Sequence, residues 1–481
     1  MAGEHPRSYW LNEALAGEDD PGAPLAEDTR ADVCIVGGGY TGLWTALRLK
    51  ECEPSLDVVL IERDLCGSGA SGRNGGFLVS WWAKYLTLEK ICGEAEALRI
   101  ARAADAAVGD IIAFCAEHDI DARIRRDGWL WSATNRAQRG AWADTVETLA
   151  RHGEHPFEAW TPETVAARSG SPVHLAGVFD RNAASLQPAL LGRGLRRVAL
   201  ERGVRIFEHT PLTALEFGVP AIVQTPRASV RADRIVLAMN AWAVRFAEIR
   251  KAIAVVSGDI VMTEPVGEQL ESIGWNDGLG IADGRALVHY YRTTEDGRIA
   301  FGKGGMGGQF CYGGRVGDEV EGRSPMAPFV REAFSRTYPQ LADVDMALSW
   351  RGPIDRSQSG LPLFWHLGRP GNIFYGVGFS GNGVGPCHLA GRILAGLALE
   401  RRDEWSTCAL VRAPTRDFPP EPFRYVGSRM LRRALIASDD AADENRVPPL
   451  TARLMARFAP AGVAPFKVGD EDDAGPGKTS A

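Results

Sequence analysis

Three glycines and one carboxylate carry the first chemistry legible in this chain. Gly37, Gly39 and Gly42 have the G-x-G-x-x-G spacing, and Glu62 follows 20 residues after Gly42. In that pattern the first glycine permits a tight turn, the second lets phosphate oxygens reach the backbone, and the third lets a helix pack closely on a strand. Free N–H groups at the helix start favour an anion, and the distal acid accepts hydrogen bonds from ribose hydroxyls. These residues act only when the right elements hold them. Residues 32–36 form a short apolar, β-branched run, residues 43–49 have helical apolar spacing, and residues 58–61 read as a parallel partner strand. The complete strand, turn, helix, strand and acid, residues 31–62, predict a bound adenine dinucleotide and leave NAD and FAD equally open.

Two further segments are unusually rich in glycine: residues 66–76 (CGSGASGRNGG) and residues 301–314 (FGKGGMGGQFCYGG). The first follows directly on Glu62. Its small residues and single arginine, Arg73, let the backbone run close to a flat, polar ligand. An NAD domain has no evident need for such a segment, so it points to a flavin.

The opening unit, GASGRNGG at 69–76 and GFSGNGVG at 378–385 together resemble the FAD-dependent amine and amino-acid oxidases of the D-amino-acid oxidase, glycine oxidase and sarcosine oxidase superfamily. Within it, ADVCIVGGGYTGL with GASGRNGG is most similar to the gamma-glutamylputrescine oxidase and aminophosphonate oxidoreductase branches. The resemblance spans about residues 8–400, and PPEPFRYVGSRMLRRALIA near the C-terminus adds weak similarity to the second branch. It implies an α/β fold with an α+β substrate lobe: a two-lobed FAD-dependent oxidoreductase with a Rossmann-like FAD domain and a mixed-sheet substrate domain. The expected division is an N-terminal arm (1–29), a discontinuous FAD domain (30–115, 186–250 and 350–400), a substrate domain (116–185 and 251–349), a helical extension (405–466) and a disordered tail (467–481).

The resemblance also implies roles. Gly37, Gly39, Tyr40, Thr41 and Gly42 would meet the pyrophosphate, with Glu62 and Arg63 flanking the adenosine. Ser71, Arg73, Asn74, Gly75 and Gly76 would line the ribityl chain and the isoalloxazine edge, and Arg73 is a catalytic candidate as well. Val204 would contact adenine through its backbone, followed by Ala238 and Asn240. Gly381, Asn382, Gly383 and Val384 would close over the pyrimidine end, with a helix from about His388 aiming its positive end at the C2 carbonyl. Sarcosine oxidases attach flavin through a cysteine near the segment that here reads SWRGPI (349–354). No cysteine lies there, so the FAD is expected to be non-covalent.

Oxidation of a CH–NH bond by a flavin requires a neutral amine. An alkyl amine with a pKa near 10 needs about three units of depression at pH 7, or about 4 kcal/mol. Burial and a nearby cation can supply this. Lys303, in AFGKGGMGG, is a candidate cation near flavin N5 for oxygen reduction, against the alternative of a solvated lysine on a turn. Trp350 and Arg351 fall in the segment that faces the flavin in relatives; a core tryptophan beside a structural arginine is the competing reading. Tyr290, Tyr291 and Arg292 come from the substrate-roof region, where Arg292 could hold a carboxylate or phosphonate bidentately or form a structural ion pair. His289, His366 and His388 are isolated in sequence and lack metal-ligand spacing. The chain has 13 tryptophans, but a cation–π contact of about 0.5–2 kcal/mol would raise the pKa of a reacting amine and oppose its deprotonation. Aromatics would better hold a remote group, and Trp81, Trp82 and Tyr85 are the expected wall, or else core.

The composition bounds the rest. With 481 residues, 45% of them hydrophobic, the chain can build two substantial cores. A net charge of −7 argues against nucleic-acid binding as the main activity and favours a small-molecule partner. The eight cysteines include no C-x-x-C pair, which suits reduced thiols. The opening residues lack a long apolar stretch, so a cytoplasmic location is expected. Residues 372–399 are mostly apolar or small, but Pro386, His388 and Arg392 interrupt them, predicting a buried strand, loop and helix without a membrane span. The leading expectation is an FAD-dependent oxidase of a primary or secondary amine with dioxygen as acceptor. A dehydrogenase passing electrons to a quinone or carrier, and a non-catalytic flavin-binding protein, are the alternatives.

Overall fold

Strand Thr29–Val36 enters the protein with its last four residues fully buried, turns at Gly37 (φ 114°) and continues as helix Tyr40–Cys52. The description rests on a computed structural model and covers residues 7–18, 20, 22–304, 310–317, 320–415 and 417–459. The expected tail at 467–481 and residues 305–309 (GMGGQ) of the second glycine-rich segment lie outside these residues.

The turn sits in the middle of the first sheet. Thr29–Val36 pairs in parallel with Val58–Ile61 on one side and with Ser229–Leu237 on the other. Arg205–Phe207 adds to the first flank and Ile373–Val377 to the second, both in parallel. Leu363–His366 closes the edge antiparallel. All four residues of Val58–Ile61 and all five of Ile373–Val377 are buried, as expected of parallel strands covered on both faces. Helices Tyr40–Cys52, Glu94–Glu117, Pro188–Glu201 and Pro386–Ala398 share one core cluster with this sheet. Gly391 on the last of these stands where a Cβ would come within 2.8 Å of the Trp44 backbone, so the two helices cross at close range.

The second sheet runs in the order Met346–Ser357, Ile253–Thr263, Ile299–Lys303, His289–Thr293, Gly280–Asp283, Trp129–Ala133, Ala176–Asp180, Phe157–Trp160. Its pairs are antiparallel except Gly280–Asp283 with Trp129–Ala133. Together the two sheets make the α/β architecture, with mixed sheets in two layers of structure. The chain crosses between them several times, and residues 350–357 of the stretch expected in the first lobe finish the longest strand of the second sheet.

Helices Tyr85–Cys92 and Glu94–Glu117 are separate because Gly93 (φ 77°) breaks the run between them. Residues 372–399 form strand Ile373–Val377 and helix Pro386–Ala398. No helix among the described residues is long and apolar enough to cross a membrane. Near the C-terminus, helix Phe423–Asp443 packs Leu431 and Leu435 with Leu287, and helix Leu450–Ala456 adds Ala456 to the same cluster.

Candidate active site

A single cavity of about 730 Å³ runs from the glycine turn into the space between the two sheets. At the turn Gly37 and Gly42 stand where no side chain would fit. A Cβ on Gly37 would come within 2.4 Å of the Ala238 carbonyl oxygen, and one on Gly42 within 2.0 Å of the Gly37 carbonyl oxygen. Gly39, Tyr40 and Thr41 line the cavity. The Tyr40 N–H donates to Ser71 Oγ at 2.9 Å, which ties the turn to the GASGRNGG segment. Among the described residues the N–H groups of Gly39 and Thr41 have no acceptor in the chain, leaving donors at a helix N-terminus for an anion.

Glu62 stands at the end of its strand with Oε2 accepting from the Gly38 N–H at 2.7 Å and Oε1 from the Asp64 N–H at 3.0 Å. Burial pushes its carboxyl pKa up against these two donors. Beside it Arg63 lies over the Trp242 ring, 4.1 Å from the centroid, and pairs with Glu321. Trp242 lines the cavity, and among the described residues its indole N–H has no partner.

Further in, Ser71, Arg73, Asn74 and Gly75 form one wall and Gly352, Pro353 and Ile354 of the long strand another. The two walls touch: a Cβ on Gly352 would meet Arg73 Cβ at 2.9 Å. Arg73 is buried, its Nε donating to the Ser68 carbonyl at 2.8 Å and Nη1 to the Arg351 carbonyl at 3.3 Å. The GFSGNGVG loop closes the cavity with Gly381, Asn382, Gly383 and Val384. Asp355 holds that loop from beneath, accepting from the Gly378 N–H at 2.6 Å.

The far end is an aromatic chamber. Phe77 and Tyr290 meet edge to face at 5.8 Å, and Trp129 and Trp131, two apart on one strand face, lie 6.2 Å from each other. All four line the cavity with Lys84, Asp283, Arg285 and Asp439. Behind them runs a chain of charge. The His289 Nδ1–Asp283 distance is 3.1 Å and the Lys303 Nζ–His289 Nε2 distance is 3.0 Å. Burial, opposed by Asp283, lowers the His289 pKa to about 4, so the neutral ring donates from Nδ1 and accepts at Nε2. Arg285 pairs with Asp283 at 2.8 Å and with Asp443 of the C-terminal helix at 2.7 Å.

Several expected site residues lie elsewhere. Trp81, Trp82 and Tyr85 are core, in the cluster behind the first sheet; the chamber walls from that segment are Phe77, Val79, Ala83 and Lys84. Trp350 is fully buried against Trp10, 5.8 Å away, and its Nε1 donates to the Arg73 carbonyl. Arg351 turns the other way, its Nε donating to the Glu321 carbonyl. Tyr291 stacks on Phe301 at 4.8 Å in the core behind the second sheet. Arg292 donates to the carbonyls of Gly75, Thr293 and Leu186, so its donors hold the seam between the sheets. Lys303 is buried behind the chamber, not in its wall. Val204 is buried outside the cavity, which reaches Thr210 and Leu212 instead. Gly42 and Gly76 act by packing: a Cβ on Gly76 would come within 2.1 Å of the Leu186 carbonyl oxygen. His289, isolated in sequence, is the centre of the charge chain.

Residues 32–397 match the family described as FAD dependent oxidoreductase, DAO. The chain belongs to this family. Gamma-glutamylputrescine oxidoreductase of Escherichia coli (strain K12) is 31% identical over 433 residues, covering 89% of this chain and 95% of that protein. A protein named probable oxidoreductase OrdL, of Haemophilus influenzae (strain ATCC 51907 / DSM 11121 / KW20 / Rd), is 27% identical over 400 residues, covering 82% and 88%. The fold is similar to that of glycine oxidase from Geobacillus kaustophilus (TM-score 0.66, 18% identity, 79% of this chain and 98% of that one). It is likewise similar to L-proline dehydrogenase from P. horikoshii (TM-score 0.63, 18% identity, 79% and 96%).

This family member is an FAD-dependent oxidoreductase, and the cavity fits the cofactor. The unpaired N–H groups at the glycine turn suit a pyrophosphate, Glu62 and Trp242 offer polar contacts at the adenosine end, and the crowded glycine walls leave a slot for a flat ring. Cys387 lines the cavity, but its thiol sits 3.2 Å from Thr41 Oγ1 at the turn.

Proposed function

We propose that this protein oxidises a primary or secondary amine at its CH–NH bond, giving an imine that water hydrolyses to an aldehyde or keto product, with dioxygen reduced to hydrogen peroxide. For a primary amine the balance is R–CH2–NH2 + O2 + H2O → R–CHO + NH3 + H2O2. The carrying observation is that one cavity joins a dinucleotide turn to an aromatic chamber between the two sheets. The 31% identity to a gamma-glutamylputrescine oxidoreductase supports an amine as donor.

Bound FAD supplies the two-electron oxidation of the carbon–nitrogen bond. The chain's residues supply the setting. Phe77, Trp129, Trp131 and Tyr290 exclude water and lower the local dielectric, which disfavours an ammonium and favours the neutral amine. Tyr290, whose pKa burial pushes up, stays protonated and can donate a hydrogen bond into the chamber. The Lys303–His289–Asp283–Arg285 chain fixes strand His289–Thr293 and with it the Tyr290 ring. Gly302 and Gly304 let that ring lie flat: a Cβ on Gly302 would meet it at 2.3 Å. In this reading the first sheet carries the cofactor lobe and the second the amine lobe, with residues 350–357 a strand of the second.

The test is aerobic turnover with aminoethylphosphonate, gamma-glutamylputrescine, sarcosine and common amino acids, scoring carbonyl product and peroxide. One peroxide per carbonyl product is expected. Carbonyl product without peroxide, and only with an added quinone or carrier, would move the assignment to a dehydrogenase.

A further inference from the structure

Among the described residues, seven of the twelve large hydrophobic residues that stand exposed lie between positions 423 and 458, so the apolar surface of this protein is gathered in one short stretch. On helix Phe423–Asp443 three of them, Phe423, Val426 and Met430, have the i, i+3, i+7 spacing of a single helix face. Another face of the same helix buries Leu431, Leu435, Ser438 and Ala442. Helix Leu450–Ala456 packs against the first. Leu450, Leu454 and, just past its end, Phe458 repeat the stripe at intervals of four. Phe423 is 71% exposed and Phe458 76%, more than a scattered surface side chain explains when its neighbours on the stripe are apolar too.

The charged residues between the stripes are mostly arginine. Arg429, Arg433, Arg446, Arg453 and Arg457 are exposed, and among the described residues Arg433, Arg453 and Arg457 form no ion pair. The two exposed acids of the stretch, Asp440 and Glu444, come at the end of the first helix, where Glu444 pairs with Arg446. A chain of net charge −7 thus presents a cationic, apolar face near its C-terminus. A second copy docked on this face would bring arginine to arginine. An anionic lipid surface meets both demands: acyl chains take up the apolar side chains, and headgroups take up the guanidinium groups. The acidic remainder of the protein is repelled by such a surface, which leaves this face to make the approach.

We infer that helices Phe423–Asp443 and Leu450–Ala456 form a docking face for an anionic membrane surface. Neither helix crosses a bilayer; each lies in the interfacial plane, with its apolar stripe in the lipid and its arginines among the headgroups. Leu435, Ser438, Asp439 and Ala442 of the first helix line the cavity, so docking holds the chamber about one helix diameter, or 10 Å, from the lipid. The inference stands apart from which donor is oxidised.

The test is co-sedimentation of the full-length, flavin-loaded protein with vesicles of phosphatidylcholine alone and of phosphatidylcholine with an equal part of phosphatidylglycerol. Binding should be at least about tenfold stronger to the anionic vesicles and should weaken as salt is raised. Phe423→Ser and Phe458→Ser should each weaken it by about tenfold, and Arg453→Gln by about fivefold, with flavin content and melting temperature unchanged. On the unmutated protein, anionic vesicles should slow hydrogen exchange over residues 423–459 and nowhere else; this arm stands even if a variant fails to fold. No vesicle binding, equal binding to both vesicle types, or protection confined to other segments would each overturn the inference. Self-association that Phe423→Ser abolishes, or binding to polyglutamate without binding to vesicles, would likewise overturn it, in favour of a second copy or an acidic polypeptide.

Discussion

Gly42 has no room for a methyl group. Its Cβ would stand 2.0 Å from the Gly37 carbonyl oxygen and 3.3 Å from the Ile35 side chain. Gly42→Ala must therefore open the helix–strand contact that shapes the pyrophosphate turn, at a cost of about 1–3 kcal/mol or more. The expected result is protein purified with most of its flavin lost, read from the ratio of flavin to protein absorbance. Gly427, in helix Phe423–Asp443, has nothing among the described residues within 4 Å of its Cβ position; Gly427→Ala should keep its flavin and gain up to about 1 kcal/mol. Asp355 gives a pH-dependent test. Burial raises its pKa from 3.8 to about 7, while its Oδ2 holds the Gly378 N–H. The folded state thus retains a proton that the unfolded chain releases, and the stability from this group is present below the unfolded pKa and lost as pH rises towards 7. Asp355→Asn keeps an acceptor without the charge. Its melting temperature relative to the parent should improve steadily from pH 4 to pH 7 and then level off. The glycines were legible in the sequence because close backbone approach needs no knowledge of distant residues. Arg292 was not: it shares a strand face with Tyr290, but it lies where the carbonyls of Gly75 and Leu186 meet it at the seam.

At the scale of elements, the strands and helices follow from local pattern, while the identity of the walls follows from register. Trp81 and Trp82 were as plausible as Trp129 and Trp131 from composition alone. What separates them is that residues 129 and 131 point one way from a strand whose other face packs Leu130 into the core, whereas the turn after Ser80 folds both tryptophans inward. No spacing in the sequence records that turn. The C-terminal helix shows the same limit: its helicity was readable, but not that Leu435, Ser438, Asp439 and Ala442 would complete the cavity beyond the family's matched segment. Two carboxylates dock it, Asp439 on the Ala286 and Leu287 N–H groups and Asp443 on Arg285 and Asn135. Asp443→Ala leaves the largely buried Arg285 and Asn135 short of a partner and should destabilise the docked helix by about 1–3 kcal/mol. Hydrogen exchange should report faster exchange over residues 423–443 with the central strands of both sheets unchanged. Equal exchange throughout would mean that the helix is held by its leucines alone.

For the whole molecule, the cavity joins two sheets that the chain visits alternately, so neither the cofactor slot nor the amine chamber belongs to one continuous segment. That alternation explains why the cofactor class could be read from three short motifs while the substrate could not: the chamber is assembled from residues 77–87, 129–145, 282–290 and 435–456. The absence of a cysteine from residues 349–354 and the engagement of Cys387 with Thr41 predict flavin held by contacts alone. Acid precipitation should leave the yellow colour in the supernatant, and colour in the pellet would mean a covalent bond. The central claim, that a bound flavin in this cavity takes electrons from an amine, is tested most directly by mixing the purified holoprotein with the amine panel under anaerobic conditions and following the flavin absorbance. At least one amine should bleach it, and admitting oxygen should restore it with one peroxide per flavin. A flavin that no amine bleaches, yet dithionite reduces, would contradict the account.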